Sequence, residues 1–278
     1  MLPQTKTCPA VSSISIELGA FMATVSFSWA NPSLMVEICQ VEFNGTKTFH
    51  SPVESVVMEI FSSDSLLIMT STSGAITLGT ESVGDIKNVL VNNCIVKDSH
   101  RGFAVRAREG GTISNVRFSN SLVHTRTFSD MWWGHGEALH VTAFAWNDPG
   151  KIGDGNPERA FEGFVREIRF ENLTIDSEAG ILNWAARPEL IEDIQYSGIK
   201  MKIGTRSKWD HRIDLRPNDI QNFVERAHNA VEAVNCTGVR FEGCEVIWDK
   251  SSREKYGELV HSEGSFGLEF AGIKESIA

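Results

Sequence analysis

The chain of 278 residues carries 26 basic and 36 acidic side chains, and a net charge of −10 argues against general attraction to nucleic acid or an anionic membrane surface. No apolar run approaches the length that spans a bilayer, and an anionic ligand would need a local basic patch. Five cysteines, Cys8, Cys39, Cys94, Cys236 and Cys244, are an odd number without C-x-x-C spacing, which speaks for neither a zinc site nor a full disulfide set.

Residues 1 to 35 mix Ser-rich and apolar stretches without clear turn signals. Their start lacks a basic segment followed by an uninterrupted apolar one, so no secretory leader is read there and the compartment stays unassigned. A repeat begins weakly at Ile38 with ICQVEFNG. SDSLLIMTS at 63–71 reads as the same strand one unit later, since Val41, Leu66 and Val89 are 25 and 23 residues apart. From Gly74 to Val123 the pattern is strong. Ala75, Ile76 and Leu78 lead through GTESVGD to Ile86, Val89, Val91 and Asn93; Phe103 and Val105 lead through REGGT to Ile113, Val116, Phe118 and Asn120. Val89 and Val116 lie 27 residues apart. The second-strand pattern recurs as VREIRFEN, IEDIQYSG and CTGVRFEG, centred on Ile168, Ile194 and Val239. Their spacings of 52, 26 and 45 read as two units, one unit and two shortened units.

A period of this length with loops of variable size predicts an all-β fold, a right-handed, single-stranded parallel β-helix in which each coil buries its apolar face on its neighbours. Residues 1–278 then form one domain, with regular coils over 73–270 and weakly matching, divergent or truncated coils over 1–72. Alternation sends Val, Ile and Phe into the bore and leaves Lys87, Arg117, Arg169 and Arg240 outside. Cys94 and Cys244 end apolar strands and read as core filler. Asn93, Asn120 and Asn172 are expected to stack as an amide ladder and to take the left-handed turn at the strand end. Residues 124–163 break outward through TRTFSDMWWGHGE, the strand ALHVTAFAW and a Gly/Pro/Asp loop. A further coil is expected between Ile194 and Val239 through HRIDLR, and GELVHSEGSFGLEFAGIKESIA would cap the last coil.

In GAITLGTESVGDIKNVLVNNC, SHRGFAVRAREGGTISNVRFSN and DMWWGHGEALHVTA, and more loosely in IDLRP and AVEAVNCTGVRFEGCEV, the chain resembles the polygalacturonase-like glycoside hydrolases of family 28, particularly bacterial members. The resemblance implies a pectin-lyase-like solenoid that hydrolyses pectic or related cell-wall polysaccharide with inversion and without a cofactor. Carboxylates in consecutive coils would protonate the leaving oxygen and activate water, about 6.5 to 9.5 Å apart. Three departures bear on activity. The family's Gly-His-Gly turn is Thr72-Ser73-Gly74 here, with no Asp-Asp pair upstream, and its Arg-Ile-Lys strand is Ala104-Val105-Arg106. The alternative is a non-catalytic carbohydrate-binding β-helix. A structural spike-like β-helix is disfavoured by the long loops, and a polysaccharide lyase by the lack of a calcium-binding carboxylate cluster.

Arg101, Arg106 and Arg108 sit around one strand, Arg106 and Arg108 with the same parity, and could clamp a uronate carboxylate in fork geometry. The structural alternative is a solvated strand face paired with Asp98 and Glu109. Trp132 and Trp133 either pack their loop or offer a platform to a sugar face. His135, Glu137 and His140 supply residue types for acid–base work if Glu137 is partly desolvated. They would suit a metal by type alone, with nothing else in support, so no metal is expected. Asp148, Asp154 and Glu158 read as loop acids. The expected partner is a polysaccharide or oligouronate, with no nucleic acid and no membrane; the oligomeric state is unassigned.

Overall fold

A computed structural model describes residues 67–71, 74–80, 84–108, 110–129, 133–145, 162–209, 212–216 and 222–278. The weak repeat at Ile38, Cys8, Cys39, Ser73, Glu109, Trp132, Asp148, Asp154 and Glu158 lie outside these residues. The described chain is all-β, with 3-10 turns at Pro188–Leu190 and Arg253–Lys255 and no α-helix among the described residues. The strands are β1 (Leu67–Met69), β2 (Gly74–Gly79), β3 (Ile86–Asn92), β4 (Cys94–Ser99), β5 (Arg101–Ala107), β6 (Thr112–Thr125), β7 (Glu137–Ala143), β8 (Phe164–Ser177) and β9 (Ala179–Ala185). They continue as β10 (Ile191–Ser197), β11 (Lys200–Ile203), β12 (Ile213–Asp214), β13 (Phe223–Val224), β14 (Val231–Val234), β15 (Thr237–Glu242), β16 (Cys244–Trp248), β17 (Val260–Glu263) and β18 (Ile273–Ile277).

Two parallel sheets take most of these strands. The chain passes through the six-stranded sheet β17-β14-β9-β7-β5-β2, then through the ten-stranded sheet that includes β3, β6, β8, β10 and β15. Val89 pairs with Val116, Val116 with Ile168, Ile168 with Ile194 and Ile194 with Val239, and all five are buried. The inside/outside alternation is therefore observed, and Arg117 and Arg240 stand exposed on the opposite parity. Cys94, Cys236 and Cys244 are free and buried, with burial pushing the Cys94 thiol up to about 12.

Three expectations are corrected. The spacings of 52 and 45 are single steps, because Val116 and Ile168, and Ile194 and Val239, are direct register neighbours. The additional residues leave the stack as insertions instead of forming extra units. HRIDLR builds no unit either, since β12 pairs antiparallel with β13 in a separate two-stranded ribbon. Finally, Leu67–Met69 pairs with Cys94–Val96 on β4 and not with the β3 column.

Left-handed residues recur at two fixed places along the repeated strand. Asn88, Asn115, Glu167 and Asp193 take φ of 61°, 52°, 55° and 56°, and Asn93, Asn120 and Asn172 take 56°, 50° and 52°. Asn and Asp tolerate this region better than other side chains with a Cβ, which explains their recurrence. The amide ladder is present with one changed rung. Asn172 Nδ2 donates to Asn120 Oδ1 at 2.7 Å, but Asn120 Nδ2 donates to Asn92 Oδ1 at 2.9 Å, not to Asn93. Inside, Phe103, Phe118, Phe170, Tyr196 and Phe241 form a continuous ring stack with successive centroids 4.9, 5.1, 5.1 and 4.6 Å apart. The Tyr196 hydroxyl is satisfied by donating to Asn183 Oδ1 at 2.6 Å, the one polar handle such burial requires.

Candidate functional site

Alternation gives the six-stranded sheet two chemically different faces. Ile76, Leu78, Phe103, Val105, Leu139, Val141, Ile181 and Val231 enter the main core. The other parity carries Ala104 and Arg106 on β5, His140 and Thr142 on β7, Leu182 and Trp184 on β9, and Glu232 on β14. Register aligns Ala104 with His140 and Leu182, and Arg106 with Thr142 and Trp184. This second face is covered. Ile213 and Leu215 of the ribbon segment form a small apolar cluster with Phe144 and Leu182, and Trp184 and Val224 pack against it.

Beneath this cover lies a buried ionic cluster in which Arg101, Arg106, Arg108, His100, His135, Glu137, His140 and Asp214 are almost without exposure. Asp214 is its hub. Its Oδ1 accepts from the Arg216 backbone N–H at 2.9 Å and from Arg216 Nε at 3.0 Å. Its Oδ2 accepts from the Gly134 N–H at 2.6 Å and from Arg216 Nη2 at 2.9 Å. His135 Nδ1 lies 3.5 Å from Oδ2. Arg101 Nε donates to Glu137 Oε2 at 3.4 Å, and the same oxygen accepts from the His135 N–H at 2.8 Å. Arg106 Nη2 donates to the Arg216 carbonyl at 2.8 Å, and Arg108 Nη2 donates to Thr142 Oγ1 at 2.7 Å.

The Gly-His-Gly turn before β7 gives this cluster its loop. Gly134 at φ 108° and Gly136 at φ 84° occupy backbone regions closed to most side chains. A Cβ on Gly134 would crowd Arg101 Nε, Glu137 Oε2 and the His100 ring at 3.3 Å, and one on Gly136 would meet the Glu178 Cβ at 2.9 Å. The Gly134 carbonyl accepts from His100 Nε2, which leaves His100 Nδ1 without a hydrogen-bond partner. Glu178 ties two loops together by accepting from the Thr127 N–H at 2.6 Å and from the Arg206 and Ser207 N–H groups.

Burial alone would raise the Glu137 and Asp214 pKa values, but the cluster outweighs it. Arg101 above all holds Glu137 below the ordinary carboxylate range, and His135, Arg216, Arg101 and the Gly134 N–H hold Asp214 far below it. Both are ionised at neutral pH. Burial, reinforced by Arg101, Arg106 and Arg108, pushes His140 well below the usual imidazole range, so its ring is neutral and Nε2 bonds Thr142 Oγ1 at 3.0 Å. Burial followed by the Arg106 and Arg101 charges also lowers Arg108.

The three arginines, His135, Glu137 and His140 thus meet in one place, as do Trp133 and Arg106, whose guanidinium carbon stands 5.5 Å from the Trp133 ring centre. The alternative of a solvated arginine face is overturned, since all three arginines are buried; Asp98 pairs instead with Arg126. Sequence reasoning missed Asp214, His100 and Glu178. Asp214 had one local signal, the Asp-Leu-Arg spacing that lets a carboxylate turn back on the guanidinium and N–H two residues on. No group of three His, Cys, Asp or Glu side chains suited to a metal ion occurs among the described residues. Comparison of the chain with protein-family models, with curated proteins and with solved structures returned no match.

Proposed function

We propose that the protein is a right-handed parallel β-helix of the polygalacturonase-like kind that binds an acidic, uronate-bearing polysaccharide and hydrolyses it slowly or not at all. The observation that carries this reading is the gathering of Arg101, Arg106 and Arg108 around β5 in one buried cluster, with Arg106 beside Trp133. Guanidinium forks suit carboxylates, and an aromatic face beside them suits a pyranose ring. Parallel strands with neighbours about 27 residues apart in sequence support the solenoid.

Full glycosidase activity is the second reading, favoured by the Trp-Trp-Gly-His-Gly-Glu resemblance. Against it stands the charge state of the two site carboxylates, because an ionised Glu137 or Asp214 has no proton for the leaving oxygen. Calorimetric titration with galacturonate and neutral galactose oligomers is expected to show binding of the acidic series alone. Arg106→Ala should weaken that binding by about 1.5 to 3 kcal/mol, the worth of a charged hydrogen bond. Equal losses on acidic and neutral ligands would remove the clamp. In a reducing-end assay on polygalacturonate the parent should show little turnover, and robust turnover that survives Glu137→Gln would establish catalytic carboxylates elsewhere in the chain.

A further inference from the structure

We propose that the ribbon of β12 and β13 is a self-occluding lid, which occupies the guanidinium groups of Arg101 and Arg106 until an acidic saccharide displaces it. This rests on the uronate reading above. The ribbon meets those arginines with acceptor oxygens of its own. The Arg216 carbonyl takes Arg106 Nη2 at 2.8 Å, and the Asp214 carbonyl lies 3.5 Å from Arg101 Nη2. The Asp214 carboxylate is anchored alongside by Gly134 and Arg216. The two carbonyls present to Arg101 and Arg106 the kind of oxygen acceptor that a uronate would bring to the same donors.

The way the ribbon is attached suits displacement. Its two strands pair with each other, Ile213 with Val224 and Asp214 with Phe223, and among the described residues they join neither parallel sheet. The Leu215 N–H also donates to the Asn222 carbonyl across its arms at 2.9 Å. Phe223 lies against both Arg212 and Arg216, whose guanidinium carbons are 3.9 and 4.2 Å from its ring centre, and it meets the His135 ring edge-on at 6.0 Å. Ile213 and Leu215 complete the seat on Leu182 and Phe144. Lifting the ribbon therefore breaks side-chain contacts and the bonds of Asp214 and Arg216 to Gly134, Arg101 and Arg106 while the sheet ladders stay intact. Segments held in this way open at a lower free energy than the strands beneath them.

The test compares the parent with Phe223→Ala and Leu215→Ser, each of which loosens the seat without touching the clamp arginines. Trigalacturonate is the probe. Calorimetry reads affinity, and amide hydrogen exchange on the parent reads Gly134, Leu215 and Arg216, whose N–H groups are bonded to or within the ribbon. Both variants should bind about tenfold more tightly than the parent, because the competent state no longer has to be drawn from a minor population. In the parent the three amides should exchange faster when trigalacturonate is bound. Equal affinities together with unchanged protection in the bound parent would overturn the lid and leave the uronate reading standing. Failure of all three proteins to bind would overturn the uronate reading and the lid with it. If the variants do not fold, the exchange result on the bound parent decides.

Discussion

Val116→Asp should unfold the central strands, while Lys87→Ala leaves the melting temperature almost unchanged. Val116 is buried between Val89 and Ile168 in register, beside the stacked rings of Phe118 and Phe170. A carboxylate there has no partner and must either stay charged in an apolar interior or take up a proton at a cost. With the packing lost from the valine, destabilisation of about 4 kcal/mol or more is expected. That is a large part of the roughly 5 to 15 kcal/mol that holds an ordinary domain together. Lys87 faces the other way, with 39% of its side chain exposed and Asp85 at 2.6 Å. A surface pair of that kind contributes about 0 to 1 kcal/mol. Equal thermal shifts in the two variants would refute the inside/outside assignment.

Mild acid should destabilise the fold before any carboxylate titrates. His100 and His140 are buried and neutral. Burial lowers both, with Arg101 adding to it at His100 against the opposing pull of Glu137, and Arg101, Arg106 and Arg108 adding to it at His140. For an imidazole depressed in the folded state, the unfolded chain binds the proton first, so stability is intact above the unfolded value of 6.5 and falls as pH drops below it. Each such group removes up to about 1.4 kcal/mol per pH unit. Glu137 and Asp214 have linkage of the same sign in a lower window: depressed carboxylates stabilise the fold above their unfolded values near 4, and that contribution is lost only in stronger acid. Between pH 6.5 and 5.5 the His100 and His140 contributions fall away, and urea melts should show a loss of up to roughly 2 kcal/mol. His140→Gln should flatten the slope. Identical melts at pH 7.5 and 5.5 would show that these rings are not held neutral inside the fold.

What could be read from residues was local. The alternation in Ile86–Asn92 and Thr112–Thr125 assigned each side chain to a face, and the shared parity of Arg106 and Arg108 placed both under the same cover. The number of units could not be read from spacing, because register pairs strands without regard to the length of chain between them. Val116 and Ile168 are neighbours although 52 residues separate them. The site was legible in part for the same reason. Arg106 meets the Arg216 carbonyl 110 positions along the chain, and Asp214 meets Gly134 across 80. HRIDLR has the alternation of a sheet strand, and only the docking of its apolar residues on Leu182 and Phe144 shows that it serves as a cover.

The two outsized steps in the stack, from Val116 to Ile168 and from Ile194 to Val239, have a consequence for how freely this scaffold can carry loops. Joining two neighbouring strands through a connection twice as long raises the closure entropy by only about 0.6 kcal/mol, since the cost grows with the logarithm of length. Rung pairing and the column of rings set the stability of the stack. The segment bearing the Gly-His-Gly turn, inserted in the first step, and the ribbon, inserted in the second, hang from it at little entropic expense. Either can therefore change in length without asking the rungs to change, and the cover over the sheet face can vary in size while the ladder that supports it stays as it is.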